Sequence, residues 1–259
     1  MEHIRLEIGT VSRVVLNRPA VRNAMSDQTL RELSDSFARI ASHGSVRAVV
    51  VTGEGQDFCA GADIEWMRRS GQLSAEEGQK DARLLAEMLR AVSECPAPVI
   101  VAAHGSVFGG GLGLVASCDI ALLGDGVKMS FSECRLGIVP AVISSWVLPK
   151  IGAANARRYY LTAEVFGAKE AVAMGLASEV VAGGGLAARA DALCREILKN
   201  SPEAVREAKA LIAKMPGRTL EESVELTVET LVRLRSSPEG QEGLSAFLER
   251  RIPKWTAKP

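Results

Sequence analysis

The chain has 259 residues, 31 of them basic and 31 acidic, with a sequence pI near 6.9. That length suits one large domain burying roughly 70–75% of the surface its unfolded form exposes, and the balanced charge gives no general field that draws in nucleic acid or an anionic membrane. Aromatic residues make up 4% of the chain, too few for the stacking platforms on which single-stranded nucleic acid is usually held.

The opening MEHIRLEIGTVSRVV alternates polar and apolar residues instead of placing a basic stretch before a continuous apolar run, so it reads as folded structure and not as a secretion signal. Ile4 to Glu7 and Val11 to Leu16 are two expected strands joined near Gly9, the second closed by LNRP. Ser26 is the expected N-cap of a helix whose apolar face is Leu30, Leu33, Phe37 and Ile40. RAVVVTG, Arg47 to Gly53, is a short apolar strand, and Ser74 with Glu77 forms a capping box ahead of a helix carrying Leu84, Leu85, Met88, Leu89 and Val92. After Pro96 and Pro98, VIVAAHG reads as a third buried strand, and DIALL as the next. This order predicts an α/β core with right-handed crossovers. Beyond about residue 140 the pattern turns helical, with helix starts at Ser201-Pro202 and Ser237-Pro238. No apolar run reaches the roughly 18 residues of a membrane span. Cys59, Cys95, Cys118, Cys134 and Cys194 are widely spaced with no C-x-x-C pair, as reduced thiols of a cytoplasmic protein would be.

The stretch VFGGGLGLVASCD, Val107 to Asp119, breaks with this economy. Glycine in regular structure costs about 0.5–1 kcal/mol relative to alanine, so Gly109, Gly110, Gly111 and Gly113 mark a backbone that something approaches closely. A glycine run opening a short helix aims N–H groups and the positive end of the helix dipole at one point, which suits an anion or a carbonyl becoming an oxyanion. GGGLG does not fit the G-x-G-x-x-G of a dinucleotide loop, and tight helix–sheet packing is the purely structural alternative. FCAGADI, Phe58 to Ile64, has the same character, and two such turns after neighbouring strands can bring one N–H each to a single oxygen.

LNRPAVRNAM, FCAGADI, VFGGGLGLVASCDIA and FSECRLGIVP, in this order and spacing, resemble the enoyl-CoA hydratase/isomerase (crotonase) superfamily over nearly the whole chain. The resemblance implies a spiral of ββα turns over residues 1–200 and a helical region over 201–259 that builds trimers or dimers of trimers. It also implies a coenzyme A thioester as substrate, with no separate cofactor or metal. By the same resemblance the backbone N–H groups of Ala62 and Gly110 form an oxyanion hole, flanked by Ala60, Asp63, Ile64 and Gly109 at the substrate. Arg22 is expected near the coenzyme A phosphates, whereas Arg18 belongs to the NRP turn.

Enoyl hydration deprotonates water and protonates the α-carbon. One of the two family glutamates maps onto Glu133, whose apolar neighbours Phe131, Leu136 and Ile138 are expected to raise its pKa. The other falls on Gly113. A single carboxylate also suffices for moving a double bond, so hydratase and isomerase both remain open. SECRLGIVPAVIS, ARRYYLTAEVF and EGQEGLSAFLERRIPKW are most similar to the bacterial methylglutaconyl-CoA hydratase-like branch. Glycine at 113 then reads as removing charge and making room for a branched or carboxylated tail such as that of 3-methylglutaconyl-CoA. A catalytically silent acyl-CoA binder and an RNA-associated protein are the readings from other classes; the composition speaks against RNA, and Glu133 against silence. His104 and Asp119 read as structural, Arg157 and Arg158 as a solvated helix edge, and Arg250, Arg251 and Lys254 as a charged chain end.

Overall fold

The computed structural model describes residues 1–256; the last three of the 201–259 region lie outside the described residues. The first strands are β1 (Ile4–Glu7), β2 (Val11–Leu16), β3 (Ala48–Gly53) and β4 (Val99–Ala103). β5 (Ser106–Phe108), β6 (Ile120–Gly124), β7 (Lys128–Ser130) and β8 (Glu179–Val181) complete the set. Six form one sheet in the order β1-β2-β3-β4-β6-β8, in which only β1 and β2 are antiparallel.

Buried parallel strands carry apolar residues on both faces, and these do. Val49 and Val51 of β3 with Val99 and Val101 of β4 enter the main core, while Ala48, Val50 and Ile100 face the other way. The main face is covered by α1 (Asp27–Ser42), α3 (Ala75–Ser93), α4 (Gly110–Ser117) and α5 (Ser144–Thr162). The opposite face is closed by α7 (Leu186–Leu198) through Ala190 and Cys194. α2 (Ile64–Ser70) buries no residue, α6 (Ala168–Ala173) abuts β8, and α8 (Pro202–Lys214), α9 (Leu220–Ser236) and α10 (Pro238–Leu248) follow, ahead of a 3-10 turn at Lys254–Thr256.

A second, smaller layer places the site. β5 and β7 pair in parallel with Val107 opposite Met129, and Cys59 bridges Val107 in the same direction. Three chain segments therefore run side by side in register and end at one edge. Counting three residues on from Cys59 reaches Ala62, three on from Val107 reaches Gly110, and four on from Met129 reaches Glu133. Cys59, Val107 and Met129 are fully buried, which pins this register against the core.

Candidate active site

Ala62 is fixed from both sides. The Met25 N–H donates to Gly61 O and the Asp63 N–H to Met25 O, each at 2.8 Å, and Gly61 takes φ +106° to make the turn. Asp63 N-caps α2 through Oδ1, accepting from Glu65 N (3.0 Å) and Trp66 N (3.2 Å). Its Oδ2 accepts from Arg18 Nη1 at 3.0 Å, and the same guanidinium nitrogen donates to Ala24 O. The bonds around Ala62 leave its own N–H without an acceptor among the described residues.

Gly110 is the first residue of α4, where an N–H has no partner within its helix. The glycines around it answer separate demands. Gly109 sits at φ +49°, a conformation that L side chains rarely adopt. A Cβ on Gly110 would lie 3.3 Å from Met25 Sδ, and one on Gly111 only 2.9 Å from Cys59 Cβ. The run lets α4 start flush against the Cys59 segment and beside Met25, which pairs with Ala62, so Gly110 and Ala62 come to line one cavity.

Glu133 rises from a short 3-10 turn, Ser132–Leu136, closed by Gly137 at φ +76°. Burial pushes its carboxyl above the ordinary glutamate range. Its Oε2 is buried with no hydrogen-bond partner among the described residues, and its Oε1 would stand 3.4 Å from a Cβ at Gly109. A buried carboxylate oxygen without a donor costs free energy and is where a substrate or water proton would be received.

Ala62, Gly110 and Glu133 line one cavity of about 720 Å³. Its walls are α2, α3 and the loop 136–143, with Ile64, Trp66, Leu85, Leu136 and Val139 supplying apolar surface. Among the residues expected at the site, Ala62, Ile64, Gly110 and Glu133 line this cavity, whereas Ala60, Asp63, Gly109 and Gly113 stand behind it as support.

Two expectations are corrected. Gly113 does not make room: a Cβ there would meet Ile143 Cγ2 at 2.5 Å and Leu89 Cδ1 at 3.3 Å, so the Ile143 side chain fills the place and itself lines the cavity. Arg22 is not free for phosphate. Its Nε and Nη2 donate to Asp57 at 2.7 and 3.2 Å and its Nη2 to Ser106 Oγ at 2.7 Å, and the pairing lowers Asp57 to about 2. Arg251 is likewise committed, to Glu242 and Glu249.

The sequence reading passed over much of the cavity lining, Trp66, Val139 and Ile143 among it, and also Asp81 on α3, whose Oδ1 accepts from Trp66 Nε1 at 2.8 Å and Oδ2 from Ser70 Oγ at 2.7 Å. His104 and Asp119 are structural: His104 Nε2 lies 2.9 Å from Gly55 O, and Asp119 accepts from Val99 N and Lys209 Nζ, each at 2.7 Å.

Two N–H groups without acceptors among the described residues and a partly buried carboxyl thus line one largely apolar cavity, the kind of group set that an oxyanion hole with a general acid/base requires. The chain belongs to the enoyl-CoA hydratase/isomerase family, whose model matches residues 7–258. A relative in Thermus thermophilus is 32% identical over 252 residues, covering 97% of this chain and 100% of its own. A crotonyl-CoA hydratase of Syntrophomonas wolfei is 30% identical, covering 94% of this chain and 93% of its own. Among solved structures, an enoyl-CoA hydratase of Shewanella pealeana superposes with a TM-score of 0.94 at 33% identity, covering 98% of this chain and 96% of its own.

Proposed function

We propose that the protein adds water across the C2=C3 double bond of an enoyl-CoA thioester. The observation that carries this reading is the juxtaposition of the unpartnered Glu133 Oε2 with the free N–H groups of Ala62 and Gly110 on one cavity. The thioester oxygen accepts from both N–H groups, which withdraws electrons from C3. Glu133 takes a proton from water as the hydroxyl adds to C3, and the charge that collects on the thioester oxygen is held by the two donors. Returning that proton to C2 completes the addition and restores the carboxylate. A pKa raised by burial suits a group that must both take and give a proton near neutral pH. The thioester's coenzyme A portion belongs to the substrate, and the chemistry calls for no further cofactor.

Acyl groups without a charge fit this cavity best. The room that a carboxylated tail such as that of 3-methylglutaconyl-CoA was expected to find at Gly113 is taken by Ile143, which leaves the sequence resemblance as that substrate's only support. Isomerisation is the second reading, favoured by glycine at 113, where the resemblance places the second glutamate of the hydratases. Under both, the enzyme works as a trimer or dimer of trimers built through the helical C-terminal region.

The test compares hydration of crotonyl-CoA with isomerisation of a 3-enoyl-CoA in the wild type and in Glu133→Gln. We expect hydration to predominate and the variant to keep its fold while kcat falls by about 10²-fold or more, as for loss of a general acid/base. Normal hydration by folded Glu133→Gln would overturn the mechanism; isomerisation alone by the wild type would transfer the reading to an isomerase.

A further inference from the structure

Helix α3 acts as a ruler along the cavity. Asp81, Leu85 and Leu89 follow one another at four-residue spacing and so share a face. Leu89 Cδ1 lies 3.3 Å from where a Cβ on Gly113 would stand, and Leu85 Cδ1 lies 3.9 Å from the same point on Gly110. Asp81 is therefore about one helical turn, four residues or roughly 6 Å, beyond Leu85, the α3 residue nearest Gly110. With the thioester carbonyl on the two N–H groups and Glu133 against C2 and C3, an acyl tail that runs along α3 reaches this α2–α3 end of the cavity. Apolar side chains form the walls up to it, and Asp81 then supplies a carboxylate.

No cation balances that carboxylate: no Lys or Arg nitrogen lies within 4.0 Å of it among the described residues. Its donors, Trp66 Nε1 and Ser70 Oγ, are neutral. Arg68 lines the same cavity, yet its side chain is 70% exposed and bonded to Glu65 at 2.9 Å, so its charge is spent at the rim. We infer that Asp81 sets the charge specificity of the acyl cavity, admitting acyl groups that are uncharged at the α2–α3 end and turning away those ending in a carboxylate. This rests on the enoyl-CoA reading above and adds the substrate class to it. Repulsion between like charges in a half-buried site is a standard way of rejecting a near-isosteric competitor.

Asp81 also ties α2 to α3, and the test must separate that tie from its charge. Asp81→Asn does so: the amide oxygen accepts from Trp66, the amide nitrogen donates to Ser70 once the hydroxyl turns, and only the charge is lost. The measurement is calorimetric binding of two thioesters that carry no double bond, butyryl-CoA and glutaryl-CoA, so no catalytic step enters. Wild type is expected to prefer butyryl-CoA by about tenfold or more, roughly 1.4 kcal/mol, and Asp81→Asn to narrow the ratio to about threefold or less by gaining affinity for glutaryl-CoA. Equal binding of both by the wild type, or an unchanged ratio in folded Asp81→Asn, would overturn the inference while leaving the hydratase reading intact. Failure of the wild type to bind butyryl-CoA would remove the enoyl-CoA reading and this inference with it.

Discussion

At the level of single residues, the site works by leaving polar groups unfinished. Among the described residues, two N–H groups without acceptors and one carboxylate oxygen without a donor share a cavity, and the fold bears that cost. A carboxyl whose pKa is higher in the fold than in the unfolded chain binds its proton more tightly when folded. Stability is therefore fullest below the unfolded value near 4.5 and falls as pH climbs through the raised folded value. Glu133→Gln removes this penalty, so the inactive variant should melt higher than wild type at pH 7.5, by about 2–4 °C for each kcal/mol recovered. The gap should close below pH 4. Thermal melts of both proteins across that range give the answer, and a wild type that melts higher at pH 7.5 would mean that Glu133 is held by partners and not isolated. The two turns that hold Ala62 and Gly110 stand out in the sequence by local chemistry, glycines and small residues where bulk is forbidden, whereas the choice of those two N–H groups and of Glu133 rests on the family resemblance. Ile143 and Asp81 do not stand out, since nothing within a few residues of either marks it. Their meaning comes from packing against Gly113 some 30 positions earlier and against Trp66 on another helix.

At the level of elements, the hairpin of β1 and β2, helices α1 and α3, the starts of α8 and α10 and the parallel core strands were readable from periodicity and caps. Ser26, Ser74, Ser201 and Ser237 all cap helices, Ser74 within a full capping box with Glu77. β5, β7 and β8 have three residues each, too short to show an alternation, and exist because neighbours supply their pairing. The pairing of β5 with β7, which brings Glu133 alongside the two turns, was consequently not readable, although the convergence of the turns themselves was expected. In α5, Gly152 at φ +69° interrupts the helix, a kink that helical periodicity does not announce. The two Ser-Pro-Glu starts also do more than cap their own helices. Ser201 Oγ and Glu203 N donate to Glu239, while Ser237 Oγ donates to Glu203, so α8 and α10 cap each other. Ser237→Ala should cost about 1 kcal/mol as a lost cap, and Ser237→Ala with Glu239→Ala less than the sum of the two alone, because they share one network. Urea unfolding of the three variants measures the coupling; strict additivity would mean that the helices cap independently.

At the level of the whole molecule, the described surface is unevenly apolar. Leu220, Val224, Val228 and Leu231 fall at spacings of four, four and three along α9, which sets them on one face, and all four are exposed. Phe247 and Leu248 of α10 are exposed by 82% and 79%, and Leu136, Ile138 and Val139 add apolar surface beside the cavity. Contiguous apolar patches of this kind are uncommon on proteins that stay monomeric, and the balanced formal charge of the chain offers little repulsion to hold copies apart. The α9 face is amphipathic, yet its apolar side meets no core within one chain, so the energy of burying it becomes available only on association. Light scattering at micromolar concentration should return three or six times the 27.5 kDa chain mass. Val228→Asp, which sets a charge in the middle of the α9 stripe without touching the core, should shift that mass downward while leaving the circular dichroism spectrum of the fold unchanged. A wild type that scatters as a monomer would end the assembly proposal. A wild-type assembly that persists unaltered in Val228→Asp would instead move the interface away from α9, toward the apolar residues of α10 or those around the cavity mouth.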